Sequence, residues 1–501
     1  MTVITTCGLS MALLLASAGL HAADWFSLPS LPSALKDPFG TSSMTAPAPN
    51  SRWERTPDTP DLSVPDTRVA IPDEAKGPLS LSTLTDIALR MNPRTRQAWL
   101  TARAEAAGLG SVKGDDLPQI TGSYGYRRQR AVSGTTGLPT ACPPAGPCTI
   151  QTLGGPNVSL GYTLYDFGQG EADEEAARYR VLAANLAQNR TLQDVTFQVE
   201  QAYYRVLAFE YLVRASRESL KNFETALDNA QRRRGSGLAT AGDEYRAETQ
   251  VGQSRLALTR NEGELGKARG LLASTVGLPA NFPLKLESVA ELVPVAQITQ
   301  SMDELIKKAK TERPDLAAAE ARARAARAAA TSAALAGRPS LELGTQWGRI
   351  TYAHTAGFRR DPQDVWTVGL NLRIPIFSGF KNTYNTTRAE ALAGQAESVR
   401  DQLLTQTELD VWQAYYDLQT SAASVTSTGN LVKSAGESAA AAAARYQAGV
   451  GSLLDLITAQ LDDTNARVLR IQSFLDWYTA LSRLNFSLGA IDGVTTRKAA
   501  P

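Results

Sequence analysis

Histidine is almost missing from this chain: there are two, His21 and His354, in 501 residues. Neither sits beside a nucleophile or a metal-ligand cluster, and no glycine–lysine phosphate loop is present, so hydrolytic, metal and nucleotide chemistry have no residues to work with. The chain reads as a non-enzyme without catalytic, cofactor-binding or metal-binding residues. Cysteine is scarce too, at three, and Cys7 falls too early in the N-terminal apolar run to be a lipid-attachment residue at its end. Charge of one sign is lacking as well: a formal +1 gives no electrostatic reason to expect a nucleic-acid partner.

Long apolar runs are equally short. Residues 1–23 carry an apolar core ending in small residues before Asp24, which reads as a secretory signal peptide cleaved near Ala22 or Ala23. A membrane anchor is the alternative, but a spanning helix needs about 20 apolar residues and this run is shorter. Residues 24–78 form a Pro/Ser-rich segment expected to be extended, since such a composition buries too little apolar area to offset ordering. In the secreted protein Cys142 and Cys148, enclosing Pro143-Pro144-Ala145-Gly146-Pro147, are then the remaining cysteines. A small disulfide-closed loop is favoured over a zinc site, which would need further His or Cys nearby.

What the chain does have is a duplication. Gln201-Ala202-Tyr203-Tyr204 matches Gln413-Ala414-Tyr415-Tyr416, and Gly237, Thr240, Asp243 and Gly277 match Gly449, Ser452, Asp455 and Gly489, always 212 residues on. Upstream, Asn92-Pro93 matches Arg313-Pro314 and Leu117-Pro118 matches Arg338-Pro339 at an offset of 221. Two units follow, about 79–290 and 291–490, with a short tail at 491–501. By length alone the chain could hold roughly three domains; two intertwined copies argue for one elongated body.

In each unit a helical period gives way to alternation after a proline. Ile120, Gly122, Tyr124 and Tyr126, then Val158, Leu160, Tyr162 and Leu164, predict strands at about 118–130 and 157–167. Leu341 to Trp347 and Trp366 to Ile376 predict strands at about 339–353 and 365–377. Glycine-marked corners, Asp166-Phe167-Gly168 and Phe377-Ser378-Gly379, lead into helices of about 65 residues, roughly 100 Å at 1.5 Å per residue. Each long helix ends at a glycine break, near 235–243 and 447–455, before a second helix. Four strands cannot close a barrel alone, yet their rows end in Tyr and Trp and their lengths suit a tilted outer-membrane span. Three chains giving four strands each would close a barrel of about twelve and leave no open edge in lipid. A soluble four-stranded sheet packed on helices, or a periplasmic coiled-coil adaptor, is the competing reading.

Signal peptide, duplicated unit, two strands per unit, long helices and the Gly-x-x-Ser/Thr-x-x-Asp signature together resemble the TolC family of outer-membrane channel proteins over about residues 79–490. The resemblance implies an α+β membrane protein: a homotrimer with a 12-stranded outer-membrane barrel, continued by a long periplasmic helical barrel. It implies an exit duct set in outer-membrane lipid, meeting a periplasmic adaptor and an inner-membrane ABC or proton-driven transporter, and passing an exported protein or a small-molecule substrate. Lack of an acylation cysteine leans the reading to type I protein secretion, with multidrug or metal efflux as the alternative. The helix tips at Gly237, Thr240, Gly449 and Ser452 would dock the adaptor. Asp455 would line the tip constriction with Thr458 where the family has a second acid, while Asp455 also suits the first turn of a helix. Tyr446 and Asp243 match the family's latch tyrosine and aspartate, but Gly451 stands in place of its arginine and Gly242 in place of that arginine's threonine partner. Arg232, Arg233 and Arg234 are candidates to substitute, unless they form a solvated face.

Overall fold

Proline sets the boundaries that organise this molecule. The computed structural model describes residues 72–132, 148–287, 300–353 and 362–490. In chain order these form β1 (Pro78–Leu79), α1 (Leu81–Met91), α2 (Pro93–Asp115), β2 (Gln119–Val132), β3 (Cys148–Tyr165), α3 (Gln169–Gly235), α4 (Ala241–Val276), β4 (Lys285–Leu286), α5 (Met302–Glu312), α6 (Pro314–Leu335), β5 (Ser340–Ala353), β6 (Gln363–Arg373), α7 (Lys381–Gln447) and α8 (Leu453–Ser487). Pro93 and Pro314 open α2 and α6, where a missing N–H costs nothing.

The strands pair antiparallel in the order β2-β3-β5-β6, so the two units meet at β3 and β5. Register places Ile120, Leu160, Thr345 and Val368 in one row, and Gly122, Val158, Trp347 and Trp366 in the next but one. One face is therefore apolar and aromatic, while Gln119, Thr121, Ser159, Glu342, Gln346, Thr367 and Asn371 share the other. Among the described residues nothing covers the apolar face: Trp366 is 73% exposed and Leu370 67%.

Two boundaries differ from the sequence reading. β3 begins at Cys148 rather than near 157, because the alternation is hidden by Gly154-Gly155-Pro156; there the pairing with β5 passes from Gly154–Thr351 to Asn157–Gly348. Pro156 has no N–H to give to a ladder. β6 stops at Arg373, before Ile374-Pro375-Ile376, for the same reason. The Cys142–Cys148 bridge, His354, the signal peptide, the tail and most of the N-terminal segment lie outside the described residues.

Each inner strand end runs straight into a helix, and the helices keep the strand order: α2 packs on α3, α3 on α6, and α6 on α7. Farther from the sheet the wall continues as α4, α3, α8 and α7, with α3 and α7 running through both halves at 67 residues each. Midway, α1 and the parallel β1–β4 pair cover one apolar cluster, including Leu84, Ile87, Val195, Val199, Leu272 and Val276, and α5 covers a second around Val411, Leu418, Trp477 and Leu484. No described helix is long and apolar enough to cross a membrane.

The two halves lock where α4 and α8 end. Gly277 (φ +92°) and Gly489 (φ +74°) close these helices in the left-handed region. A Cβ on Gly277 would sit 3.0 Å from the Met91 carbonyl oxygen, and one on Gly489 would sit 2.8 Å from that of Glu312. The repeated glycines thus exist to let each descending helix end against the X-Pro junction of its own unit. Asn92 seals the first junction by donating to the Thr275 carbonyl at 2.8 Å. Arg313 fills the second, with its side chain only 3% exposed.

Candidate functional site at the helical tips

The Gly-x-x-Ser/Thr-x-x-Asp signature is a turn whose parts are each used. After α3, Gly237 (φ +75°) lets Leu238 N–H donate to the Arg233 carbonyl and its own N–H to that of Arg234. After α7, Gly449 (φ +81°) does the same: Val450 donates to Arg445 and Gly449 to Tyr446. Both are Schellman closures. Three residues on, Thr240 and Ser452 cap α4 and α8, accepting from the N–H groups of Asp243 (3.2 Å) and Asp455 (3.1 Å).

The two aspartates then part ways. The Asp243 carboxylate accepts from the Thr240 N–H at 3.0 Å and its hydroxyl at 2.8 Å, completing a capping box, and these bonds hold its carboxyl below the usual carboxylate value. The Asp455 carboxylate makes no hydrogen bond or ion pair among the described residues. It is exposed, and so are Leu454 and Thr458, while Leu453, Leu456 and Ile457 turn inward onto Phe223, Ala230 and Val251. Asp455 and Thr458 therefore share one open helical face, three residues apart.

Tyr446 is buried in that same cluster, at 5% exposure, and its partner is Arg233. The guanidinium stacks 4.6 Å from the ring centroid and donates to the Tyr446 carbonyl at 3.0 Å. Gly449 leaves this arginine its room, since a Cβ there would lie 3.4 Å from it. Gly451 packs back on the end of α7, where a Cβ would meet the Tyr446 nitrogen at 3.0 Å, so a side chain there would push the turn away from the helix end by a few tenths of an ångström. The three arginines split their work. Arg232 pairs with Asp228 in a solvated i,i+4 bridge, Arg234 pairs with Glu244 across the first tip, and Arg233 ties the two tips together. Sequence reasoning singled out the run without separating its middle member.

Sequence reasoning missed a second charged site altogether. Arg313 holds Asp315 with two bonds, 3.1 and 2.7 Å, and Asp410 at 3.0 Å. Arg190 of α3 stands 3.7 Å from Asp315 and 3.4 Å from Asp194, with its guanidinium 3.7 Å over the Phe486 ring. Helices α3, α6, α7 and α8 are thereby pinned at one point. The only signal was an arginine in front of Pro314 where the first unit has Asn92.

Among known proteins, the model of the family described as outer membrane efflux protein matches residues 84–278 and 305–490. Protein CyaE of Bordetella pertussis is 28% identical over 389 residues, covering 78% of this chain and 79% of that protein. Outer membrane protein OprJ of Pseudomonas aeruginosa is 26% identical, covering 76% and 78%. A solved membrane protein of Pseudomonas aeruginosa superposes with a TM-score of 0.69 at 25% identity, over 86% of this chain and 99% of that one.

Proposed function

We propose that this chain, which belongs to the outer membrane efflux protein family, is the passive exit duct of a tripartite export system. It is an outer-membrane channel protein extending into the periplasm, not an enzyme, and its fold is that of the trimeric channels, barrel strands continued by a helical tunnel. One observation carries the duct reading. A four-stranded sheet with two open edges and an uncovered apolar face runs, strand by strand, into a helical wall one layer thick. Such a wall encloses nothing by itself, and lipid does not tolerate its open edges, so copies must close it.

The duct would be fed by a periplasmic adaptor docking at the tips around Gly237, Thr240, Gly449 and Ser452, and by an inner-membrane transporter, ABC or proton-driven. For cargo we favour an exported protein, supported by the position of Cys7, which leaves no acylation site at the end of the signal. The family's description as efflux protein favours the second reading, small-molecule export. Loss of a protein from the culture medium on deleting the gene, with drug and metal tolerance unchanged, supports the first. The reverse pattern replaces it with the second.

The tip supplies the gate. Three Asp455 carboxylates, one per copy, would form a ring of negative charge at the constriction, a device for cation selectivity. Asp455→Ala is expected to lower cation selectivity in planar bilayers and weaken block by multivalent cations, with assembly intact. Thr458→Asp, adding a second carboxylate to the same face, is expected to do the opposite. Unchanged selectivity in both variants removes Asp455 from the gate and leaves it as a helix-start residue.

A further inference from the structure

Two arginines in the wall near the sheet have no partner among the described residues. Arg180 of α3 and Arg322 of α6 are exposed and make no hydrogen bond or ion pair among the described residues, whereas neighbouring Arg324 holds Glu320 and Arg400 holds Glu320 and Asp401. Both unpaired side chains line the same two grooves. The first, about 470 Å³, runs between α2 and α3, where Gln97, Thr101, Gln188 and Thr191 alternate with Ala98, Ala183, Ala184 and Ala187. The second, about 290 Å³, runs between α6 and α7 over Ala325, Ala326, Ala329, Ala389 and Leu392.

The position argues against two trivial occupants. The arginines stand on α3 and α6, the inner pair of the α2-α3-α6-α7 wall, while another copy of the chain would add at its free flanks, α2 and α7, each of which borders one groove. Arg180 falls about 17 Å along α3 from its start at the sheet, at 1.5 Å per residue, which is below the reach of a membrane headgroup. The charge in the first groove is unbalanced. Glu105 is its one carboxylate, and Arg94 at its other end is already held by Asp194 (3.8 Å) and Gln198 (3.0 Å).

We infer that Arg180 and Arg322 form a binding site for a small anionic amphiphile. Its carboxylate or phosphate sits between the two guanidinium groups, which suit such oxygens by their planar donor forks. Its apolar body lies on the alanine bed of the second groove, where small side chains leave a shallow, open floor; its polar substituents face Gln97, Thr101 and Gln188. The site is separate from the tip gate and independent of which cargo the duct exports.

The test uses the full-length channel reassembled in amphipol and titrated calorimetrically with 2-naphthoate, its neutral counterpart 2-naphthamide, and inorganic phosphate. Saturable naphthoate binding, at one per chain, is expected, with naphthamide and phosphate each at least tenfold weaker. The double variant Arg180→Gln/Arg322→Gln should lose naphthoate affinity by tenfold or more. Ala329→Glu, which puts a charge in the apolar groove, should do the same without affecting phosphate. Both changes are at the surface, and an unaltered melting curve and oligomer mass confirm that folding is kept. Equal binding of naphthoate and naphthamide, binding of phosphate as tight as naphthoate, or undiminished naphthoate binding in the double variant overturns the assignment. Because no transport is measured, failure here leaves the duct reading standing.

Discussion

Replacing Arg313 with Ala should destabilise the folded chain by about 3–5 kcal/mol, the usual cost of removing one partner from a buried ion pair. Three features set the size. The side chain is 3% exposed, it satisfies two carboxylates on different helices, and the nearer of them, Asp315, is itself largely buried. Asp315 would be left with Arg190, at 3.7 Å, as its one cationic partner among the described residues, beside the Leu316 N–H at 3.0 Å. A triple change, Arg313→Met with Asp315→Leu and Asp410→Leu, should recover most of the loss, because replacing the whole set by apolar groups leaves no charge stranded. Arg90→Ala is the control: that arginine also pairs with two carboxylates, Glu74 and Asp86, but is half-exposed, and its loss should cost far less than that of Arg313. Melting of each variant in detergent, followed by circular dichroism, reads the difference. Arg313 and Arg90 variants with equal melting temperatures would remove the network from the account of stability.

Acid should act on the same point. Burial works against ionisation of Asp315, but the Arg313 hydrogen bonds and the Arg190 charge outweigh it and hold its carboxyl below the usual range. A depressed carboxyl contributes its stability in full above its unfolded value, about 4, and loses it as pH falls through the folded one. Asp194 runs the other way. Burial raises its carboxyl despite Arg190 and Arg94, so its contribution favours the folded state in acid and is lost as pH rises through that higher value. Loss of the Asp315 contribution is therefore expected to begin as pH falls below about 4, where the unfolded carboxyl takes up its proton, and to be complete at the lower pH where the folded one does.

The second large effect concerns the sheet. Leu370→Arg places a charge on the uncovered apolar face, between Leu343 and the edge of β6. If that face meets lipid, the cost is about 2–4 kcal/mol per copy near the bilayer midplane, less toward its borders. Every copy in the barrel would carry it, so membrane insertion should fall sharply. Asn371→Arg, one residue on and on the opposite, polar face, should insert normally and alter conductance instead. Fractionation of outer membranes gives the first reading and planar bilayers the second. Equal insertion of both variants would contradict the assignment of faces.

Much of this fold was legible because its periods are clean. Alternation from Ile120 to Tyr126 and from Leu341 to Trp347 is uninterrupted, and the glycine-to-aspartate turns recur in both units, so strands, tips and duplication could be read from spacing alone. The first half of β3 was hidden because Gly154, Gly155 and Pro156 carry no alternation, although the register with β2 continues through all three. The tip residues were legible as positions and not as roles. Nothing in the spacing says that the Asp243 carboxylate is consumed by Thr240 while that of Asp455 stays open, or that Arg233 rather than its neighbours reaches across to Tyr446. Those outcomes depend on how two hairpins pack, which a linear pattern does not encode. The Arg313 cluster was invisible for the same reason: its members are separated by up to 220 residues between Arg190 and Asp410.

The central claim is that copies of this chain close the open sheet, and the mass of the detergent-solubilised particle tests it most directly. With a chain of 53.6 kDa, mass photometry corrected for detergent, or native mass spectrometry, should give one species of three chains, about three times that mass less the cleaved signal peptides. Conservative dilution should not dissociate it, since each boundary between copies would carry a full strand pairing and the helices beneath. A stable species of one or two chains that still inserts into bilayers and conducts would contradict the account.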